Sequence, residues 1–196
     1  GGQPGRSLSV GRAVEKKGSG GLLAALALLP KDLPWRFDHI GDGPLLGALK
    51  AEARRLGLGG RIGWHGARAR DEVLAAYGRA DLFVLASRIA ANGDRDGLPN
   101  VLMEAQAMGL ACVSTTVSAI PELIEDGETG LLVPPGKPDE LALNLARLMR
   151  DPVLRRALGE AGKARVRRDF SFSGGIDRLA AGFRARLQGD GAAHVA

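Results

Sequence analysis

The sequence predicts an α/β domain of three layers: a mostly parallel sheet of about six strands, helices on both of its faces, and further helices at the carboxyl end. Three observations point there. Short β-type runs alternate with helical ones along most of the 196 residues, the pattern of parallel strands joined by crossover helices. Pro44, Pro99, Pro121 and Pro138 each fall where a helix would open, the one helical position at which a missing N–H costs nothing. The 29 glycines gather at segment ends rather than in repeats, as many strand-to-helix turns require.

Taken in order, the opening residues 1–6 read as a loose linker. Strands are expected at 8–10, 37–40, 61–64, 81–86, 111–114 and 130–133, each a short apolar run bounded by turn residues. Helices are expected between them at 21–29, 44–56, 71–78 and 99–108, then a single turn at 121–125 and a longer helix at 138–149. From Asp151 the chain reads as helix only, with Arg155, Arg156, Arg165 and Arg168 on polar faces. The domain proper is expected over 7–170, with a closing helix at 171–188 and a disordered tail at 189–196.

Composition narrows the function. Hydrophobic residues make up 45% and charged residues 25%, as in soluble globular domains, and with only 4% aromatics the core must be Leu, Ala and Val. The net charge of +5 suits an anionic partner, whether nucleic acid, a membrane surface or a phosphorylated small molecule. Nucleic acid is disfavoured because no aromatic residues interleave the basic ones as stacking platforms. The run of Arg165, Arg167 and Arg168 reads as a solvated helix face. The lone Cys112 lies in an apolar run and reads as a buried structural thiol. The longest apolar run, residues 22–29, is far below the ~20 residues that span a bilayer. A soluble, cytoplasmic protein is expected, with peripheral contact at the inner membrane open to it.

Four junctions could hold chemistry. After the first strand, Val10-Gly11-Arg12-Ala13-Val14-Glu15-Lys16-Lys17-Gly18 brings Arg12 and Lys17 to the carboxyl end of a strand, where open α/β sheets bind anionic ligands. After the second, Gly41-Asp42-Gly43-Pro44-Leu45-Leu46-Gly47 looks like a dinucleotide fingerprint, but its third glycine is one residue late. No acid ends the next strand to hold an adenosine ribose, so a tight turn beside a ligand is the better reading.

The third junction, Asp96-Gly97-Leu98-Pro99-Asn100-Val101-Leu102-Met103-Glu104, holds most information. Gly97 to Asn100 turn into a helix whose free N–H groups form an anion site. Asp96 stands before that N-terminus, and Glu104 lies inside the helix off the stripe formed by Leu98, Leu102, Ala105 and Met108. Two acids flanking an anion site suit sugar hydroxyls on either side of a phosphate, because a carboxylate only accepts. The competing reading is that Asp96 caps the helix and Glu104 is solvated. The fourth junction, Ile120-Pro121-Glu122 to Gly130, reads as a strand-edge connection in which Glu122 favours a helix N-terminus. The three histidines lack metal-ligand spacing, and no nucleophilic triad or P-loop stretch occurs.

Together and in order, these stretches resemble the carboxyl-terminal domain of family-4 glycosyltransferases. The matching segments are Val10-Gly11-Arg12 through Lys17-Gly18, Gly41-Asp42-Gly43-Pro44, Ala80-Asp81-Leu82-Phe83-Val84-Leu85, Gly97-Leu98-Pro99-Asn100-Val101-Leu102-Met103-Glu104-Ala105, Ile120-Pro121-Glu122 and Gly130-Leu131-Leu132-Val133. The likeness runs over about residues 8–187. It implies a Rossmann-like domain, one half of a GT-B fold, that binds a UDP-, GDP- or ADP-sugar.

The resemblance also implies roles. The family's Glu-x7-Glu element falls on Asp96 and Glu104, with Glu104 on the donor ribose and Asp96 on the transferred sugar. Asp in place of the commoner Glu shortens the reach by one methylene. Arg12 and Lys17 match the diphosphate-holding cations, and Gly97, Leu98, Pro99, Asn100 and Val101 line the phosphate and sugar. Departures are Ala86, where proline is usual, and Ala119, where glycine is usual. The family transfers a hexosyl unit with retention, here to a glycan or lipid-linked acceptor, and needs neither metal nor cofactor. Its acceptor site lies on an amino-terminal domain; about seven residues precede the first strand, so this chain is expected to be a fragment, inactive alone. Alternatives are a stand-alone nucleotide-sugar-binding module without catalysis and half of a GT-B sugar-nucleotide epimerase.

Overall fold

The computed structural model describes residues 5–170. Among them six strands form one sheet: β1 (Gly5–Val10), β2 (Trp35–Ile40), β3 (Ile62–Trp64), β4 (Leu82–Val84), β5 (Ala111–Thr115) and β6 (Leu131–Val133). Their order is β3-β2-β1-β4-β5-β6, and every neighbouring pair is parallel. The expected mostly parallel sheet is therefore parallel throughout, in the doubly wound Rossmann-like order. The walk across the sheet reverses between β1 and β4, which leaves a crevice at their carboxyl ends.

The connections are α1 (Ser19–Ala27), α2 (Leu46–Arg55), α3 (Arg70–Arg79), α4 (Asn100–Ala107), α5 (Ile120–Leu123), α6 (Pro138–Arg150) and α7 (Pro152–Asp169), with a 3-10 turn at Glu15–Lys17. No helix among the described residues is long and apolar enough to cross a membrane.

Strand alternation feeds two separate cores. Trp35, Phe37, Leu82, Val84 and Val113 pack with Leu23, Leu26, Leu49 and Leu145 beneath α1, α2 and α6. Leu8, Val10, Phe83 and Cys112 pack with Tyr77, Leu102 and Ile120 beneath α3, α4 and α5. Strands buried on both faces read as apolar runs, which is why β4 and the first three residues of β5 show no polar alternation; the buried Ser114 and Thr115 hydroxyls that end β5 donate to Leu85 O and Ser87 O. Burying each such large apolar side chain contributes about 1.5–3 kcal/mol. Cys112 is fully buried, and that burial pushes its thiol pKa far up, which makes it inert packing.

The sequence expectations need four corrections. Gly5 and Arg6 pair with Trp35 and Arg36, so β1 begins inside the stretch expected to be linker. Neither residue favours a strand, and the pairing comes from β2 and from Asp81 Oδ2, which accepts the Arg6 N–H at 2.8 Å. Helix α2 opens at Leu46 rather than Pro44, because the Leu46 N–H turns back to Gly43 O at 3.1 Å. Asp96 does not cap α4: the cap position is Pro99, and no side chain accepts there.

The fourth concerns α7, whose arginines are not all solvated. Arg155 Nη1 donates to Leu148 O at 2.7 Å, and Arg165 reaches Glu125 Oε2 and Glu122 O at 3.0 Å each. These contacts fasten α7 to the end of α6 and to the α5 segment, while Arg167 and Arg168 stay exposed. The expected closing helix at 171–188 and the tail at 189–196 lie outside the described residues, as do residues 1–4.

Candidate functional site

The loop that follows β1 is wedged between two others. Gly11 N–H donates to Ile40 O at 2.9 Å, and Ala13 exchanges bonds with Asp42 O and Leu45 N–H. Gly41 has φ 148°, and a Cβ there would collide with Gly11 O, so only glycine lets the two loops meet. On the other flank Gly18, at φ 66°, closes the 3-10 turn against Ala86 of the segment following β4. These contacts fix where the basic residues of the turn can point.

Lys17 points into the crevice and meets Asp96. Its Nζ donates to Asp96 Oδ2 at 2.6 Å, and both side chains are mostly buried, at 16% and 17% exposed. Lys16 Nζ lies 3.5 Å from Asp96 Oδ1 and 3.4 Å from Asp94 Oδ2. Hydrogen bonding to Asp94, and the charges of Asp96 and Asp94, raise the Lys16 pKa above its ordinary value. The turn and the segment after β4 are also tied by backbone: Arg88 N–H donates to Lys16 O, and Ala91 N–H to Glu15 Oε1, both at 2.9 Å.

Helix α4 begins beside this pair. Asn100 and Val101 are its first two residues, and their N–H groups donate to no described residue, as at any helix start without a cap. One turn further in, Glu104 is mostly buried, at 14% exposed. Arg70, the first residue of α3, donates to Glu104 Oε1 at 2.9 Å, and the Tyr77 hydroxyl lies 3.2 Å from both Glu104 Oε2 and Val101 O. Burial, then the Glu104 charge, pushes the Tyr77 pKa far up, so its hydroxyl stays protonated and serves as a donor.

An open cleft lies between the loops after β1 and β2 and the approach to α3. Arg12, Gly41, Gly43, Pro44, Arg68 and Val73 line it, and Arg12 stands exposed at its edge. The structure thus unites Lys17 with Asp96 and sets both before α4, which carries Asn100, Val101 and Glu104. Arg12 shares the rim but makes no hydrogen bond or ion pair with Lys17 or Asp96. Gly97 and Leu98 stand on the approach, Gly97 exposed and Leu98 half-buried, while Pro99 is buried.

Sequence reasoning missed Lys16, Arg70, Tyr77 and Asp94. Lys16 was adjacent to a chosen residue, and the turn geometry alone separates the two lysines. Arg70 sits one position before the expected helix, and only the meeting of α3 with α4 gives it meaning.

The chemistry on offer is specific in kind. Unbonded N–H groups and cations suit an anion, and two partly buried carboxylates beside them suit hydroxyls. Fold and site together define an open parallel α/β domain with a crevice at the switch point of its sheet. The profile of the family described as "Glycosyl transferases group 1" matches residues 2–165, and the chain belongs to that family.

It is 37% identical over 170 residues to the amylovoran biosynthesis glycosyltransferase AmsK of Erwinia amylovora, covering 86% of this chain and 42% of that protein. It is 31% identical over 188 residues to a GDP-mannose-dependent alpha-(1-6)-phosphatidylinositol monomannoside mannosyltransferase of Mycobacterium tuberculosis, covering 93% of this chain and 47% of that one. The chain therefore spans less than half the length of these relatives. The crystal structure of the C-terminal domain of a glycosyl transferase group 1 family protein (LpcC) from Francisella tularensis superposes with a TM-score of 0.74 and 26% identity. That match covers 86% of this chain and 88% of that domain.

Proposed function

We propose that this chain is the donor-binding domain of a retaining, metal-independent family-4 glycosyltransferase. The observation behind the proposal is the Lys17–Asp96 pair at 2.6 Å beside the start of α4, with Glu104 held on the same helix. The donor is a nucleoside-diphosphate sugar. Its diphosphate meets Lys17, Arg12 and the N–H groups of Asn100 and Val101; its ribose hydroxyls donate to Glu104; its base lies in the cleft lined by Gly41, Gly43, Arg68 and Val73; its sugar meets Asp96. Gly97 and Leu98 complete the wall beside the phosphate and the sugar.

The mechanism follows from charge. Cleavage of the anomeric C–O bond leaves negative charge on the nucleoside diphosphate. Lys17, Arg12 and the helix N-terminus stabilise that charge, and the loss of one such donor costs about 10²–10³ in rate. Binding and catalysis are separable here. A second, amino-terminal domain supplies the acceptor site for a glycan or lipid-linked acceptor, and the reaction runs on the cytoplasmic side of the inner membrane. The names of AmsK and of the mannosyltransferase support transfer of a hexosyl unit in envelope or exopolysaccharide synthesis.

Calorimetric titration with UDP, GDP and ADP, and with the matching monophosphates, tests the reading. Saturable binding of one diphosphate, weaker for its monophosphate and unchanged by EDTA, is expected. Binding that requires a divalent ion would overturn the metal-independent mechanism, and indifference to the second phosphate would overturn the assignment of Lys17.

A further inference from the structure

Lys16 has no task in the donor site, yet it faces two carboxylates at once. Its carbonyl accepts from Arg88 N–H at 2.9 Å, and its Nζ lies between Asp94 and Asp96. Asp94 is itself fixed, its carbonyl accepting from Ala90 N–H at 2.8 Å and its N–H donating to Asn92 Oδ1 at 3.0 Å. Lys17 and Lys16 therefore hold opposite oxygens of one carboxylate: Lys17 on Asp96 Oδ2 at 2.6 Å, Lys16 toward Oδ1 at 3.5 Å.

On the donor-site reading, Lys17 and Asp96 each have a second partner. A diphosphate brings more charge than one carboxylate and competes for Lys17. If Lys17 turned to the phosphate alone, Asp96 would be left with its charge uncompensated while only 17% exposed, which is costly. Lys16 stands at the other oxygen, close enough to close the remaining gap by rotation of its flexible stem.

We propose that Lys16 is a positioning residue that takes over Asp96 when the donor diphosphate draws Lys17 away, and that Asp94 holds Lys16 ready for that exchange. Lys16 then fixes the direction of the Asp96 carboxylate and so governs affinity for the sugar half of the donor. The nucleotide half does not depend on it. This rests on the donor-site reading above, and the experiment separates the two.

The test is calorimetric titration of the full chain and its Lys16→Met variant with UDP, GDP and ADP, and with UDP-glucose, UDP-galactose, GDP-mannose and ADP-glucose. Lys16→Met is expected to weaken the preferred nucleotide sugar by about tenfold, the scale of one hydrogen bond to a charged group, and the bare diphosphate far less. Lys16→Arg, which keeps the charge, should recover most of the loss. Asp94→Asn should show the same selectivity, and superposable thermal melts would confirm that the variants fold. Equal losses for diphosphate and sugar would make Lys16 an ordinary phosphate cation and overturn the proposal. So would an unchanged sugar affinity, or a wild type that binds a diphosphate and none of the four sugars. A wild type that binds no nucleotide would instead overturn the donor-site reading.

Discussion

Arg70 Nη1 lies 2.9 Å from Glu104 Oε1, so an arginine at the start of one helix orients an acid in the middle of another. The pair is lopsided, with Arg70 53% exposed and Glu104 14%. A half-exposed ion pair adds less than about 1 kcal/mol to stability once solvent screening is counted. Its value lies in direction: with Tyr77 on the second oxygen, the Glu104 carboxylate has one orientation before any ligand arrives. Arg70→Ala should therefore leave unfolding by urea nearly unchanged while weakening nucleotide binding several-fold, about 1 kcal/mol in affinity. A large loss of stability with no change in binding would make the pair purely structural.

Glu104 and Asp96 should separate by ligand. If Glu104 holds the ribose, as proposed, its contact serves the nucleotide itself, so Glu104→Ala should weaken binding of a free nucleoside diphosphate by ~10-fold or more, and Asp96→Ala much less. Equal losses in calorimetric titration would sink the division of roles between these two acids.

Lys17→Ala gives a second separation. On the proposed reading the variant should weaken a nucleoside diphosphate by about tenfold or more and barely touch the bare nucleoside, since the only part of the nucleotide that the missing charge meets is the phosphate. Loss of both ligands would argue that the variant has misfolded. Removing Lys17 also leaves Asp96 with Lys16 as its remaining cation at 3.5 Å, which limits the damage to the apo fold.

The junctions were readable because each obeys a local rule. Pro121 and Pro138 in the first turns of α5 and α6, glycines at strand ends and the apolar run of β4 all follow from backbone sterics and from burial on both faces, whereas Pro44 precedes its helix by two residues. Glu104 stood out because helix periodicity takes it off the apolar stripe of α4, and Lys17 and Asp96 because each stands on a loop at the end of a strand or the start of a helix. Arg70 and Tyr77 reach Glu104 from α3, and Lys16 reaches Asp94 from the far side of the β1 loop. Those meetings are set by how parallel strands line up their carboxyl ends, and one-dimensional patterns hold no record of it. The β1 boundary was hidden for the same reason, since Gly5 and Arg6 owe their strand conformation to β2.

The wedge at Gly18 can be weighed against a glycine of similar conformation. Gly18 has φ 66° and Gly57 φ 73°. A Cβ at Gly18 would meet Ala86 O, C and Cβ, whereas at Gly57 nothing lies within 4 Å. Gly57→Ala should cost only the left-handed backbone term, about 1–2 kcal/mol. Gly18→Ala adds a backbone collision that cannot relax without moving the turn that carries Lys16 and Lys17, so its cost should exceed that of Gly57→Ala by about 2 kcal/mol or more. Urea unfolding of both variants makes the comparison, and similar losses would mean that the β1 loop yields easily.

His39 supplies the pH dependence. It is 3% exposed, with Nε2 unbonded among the described residues and its ring 5.6 Å from that of Trp64. Burial, then the neighbouring His65, lowers its pKa to about 4. In the unfolded chain the same imidazole titrates near 6.5, so between these values the unfolded state binds more protons than the native one. Stability from this residue is complete above about pH 6.5 and declines as the pH falls toward 4, by about 2–3 kcal/mol at pH 4.5. His39→Leu fills the same space without the proton, and its stability between pH 7 and 4.5 should fall by that much less than wild type's. Urea titrations at the two pH values measure the difference. Parallel losses in both proteins would assign the acid sensitivity to other groups.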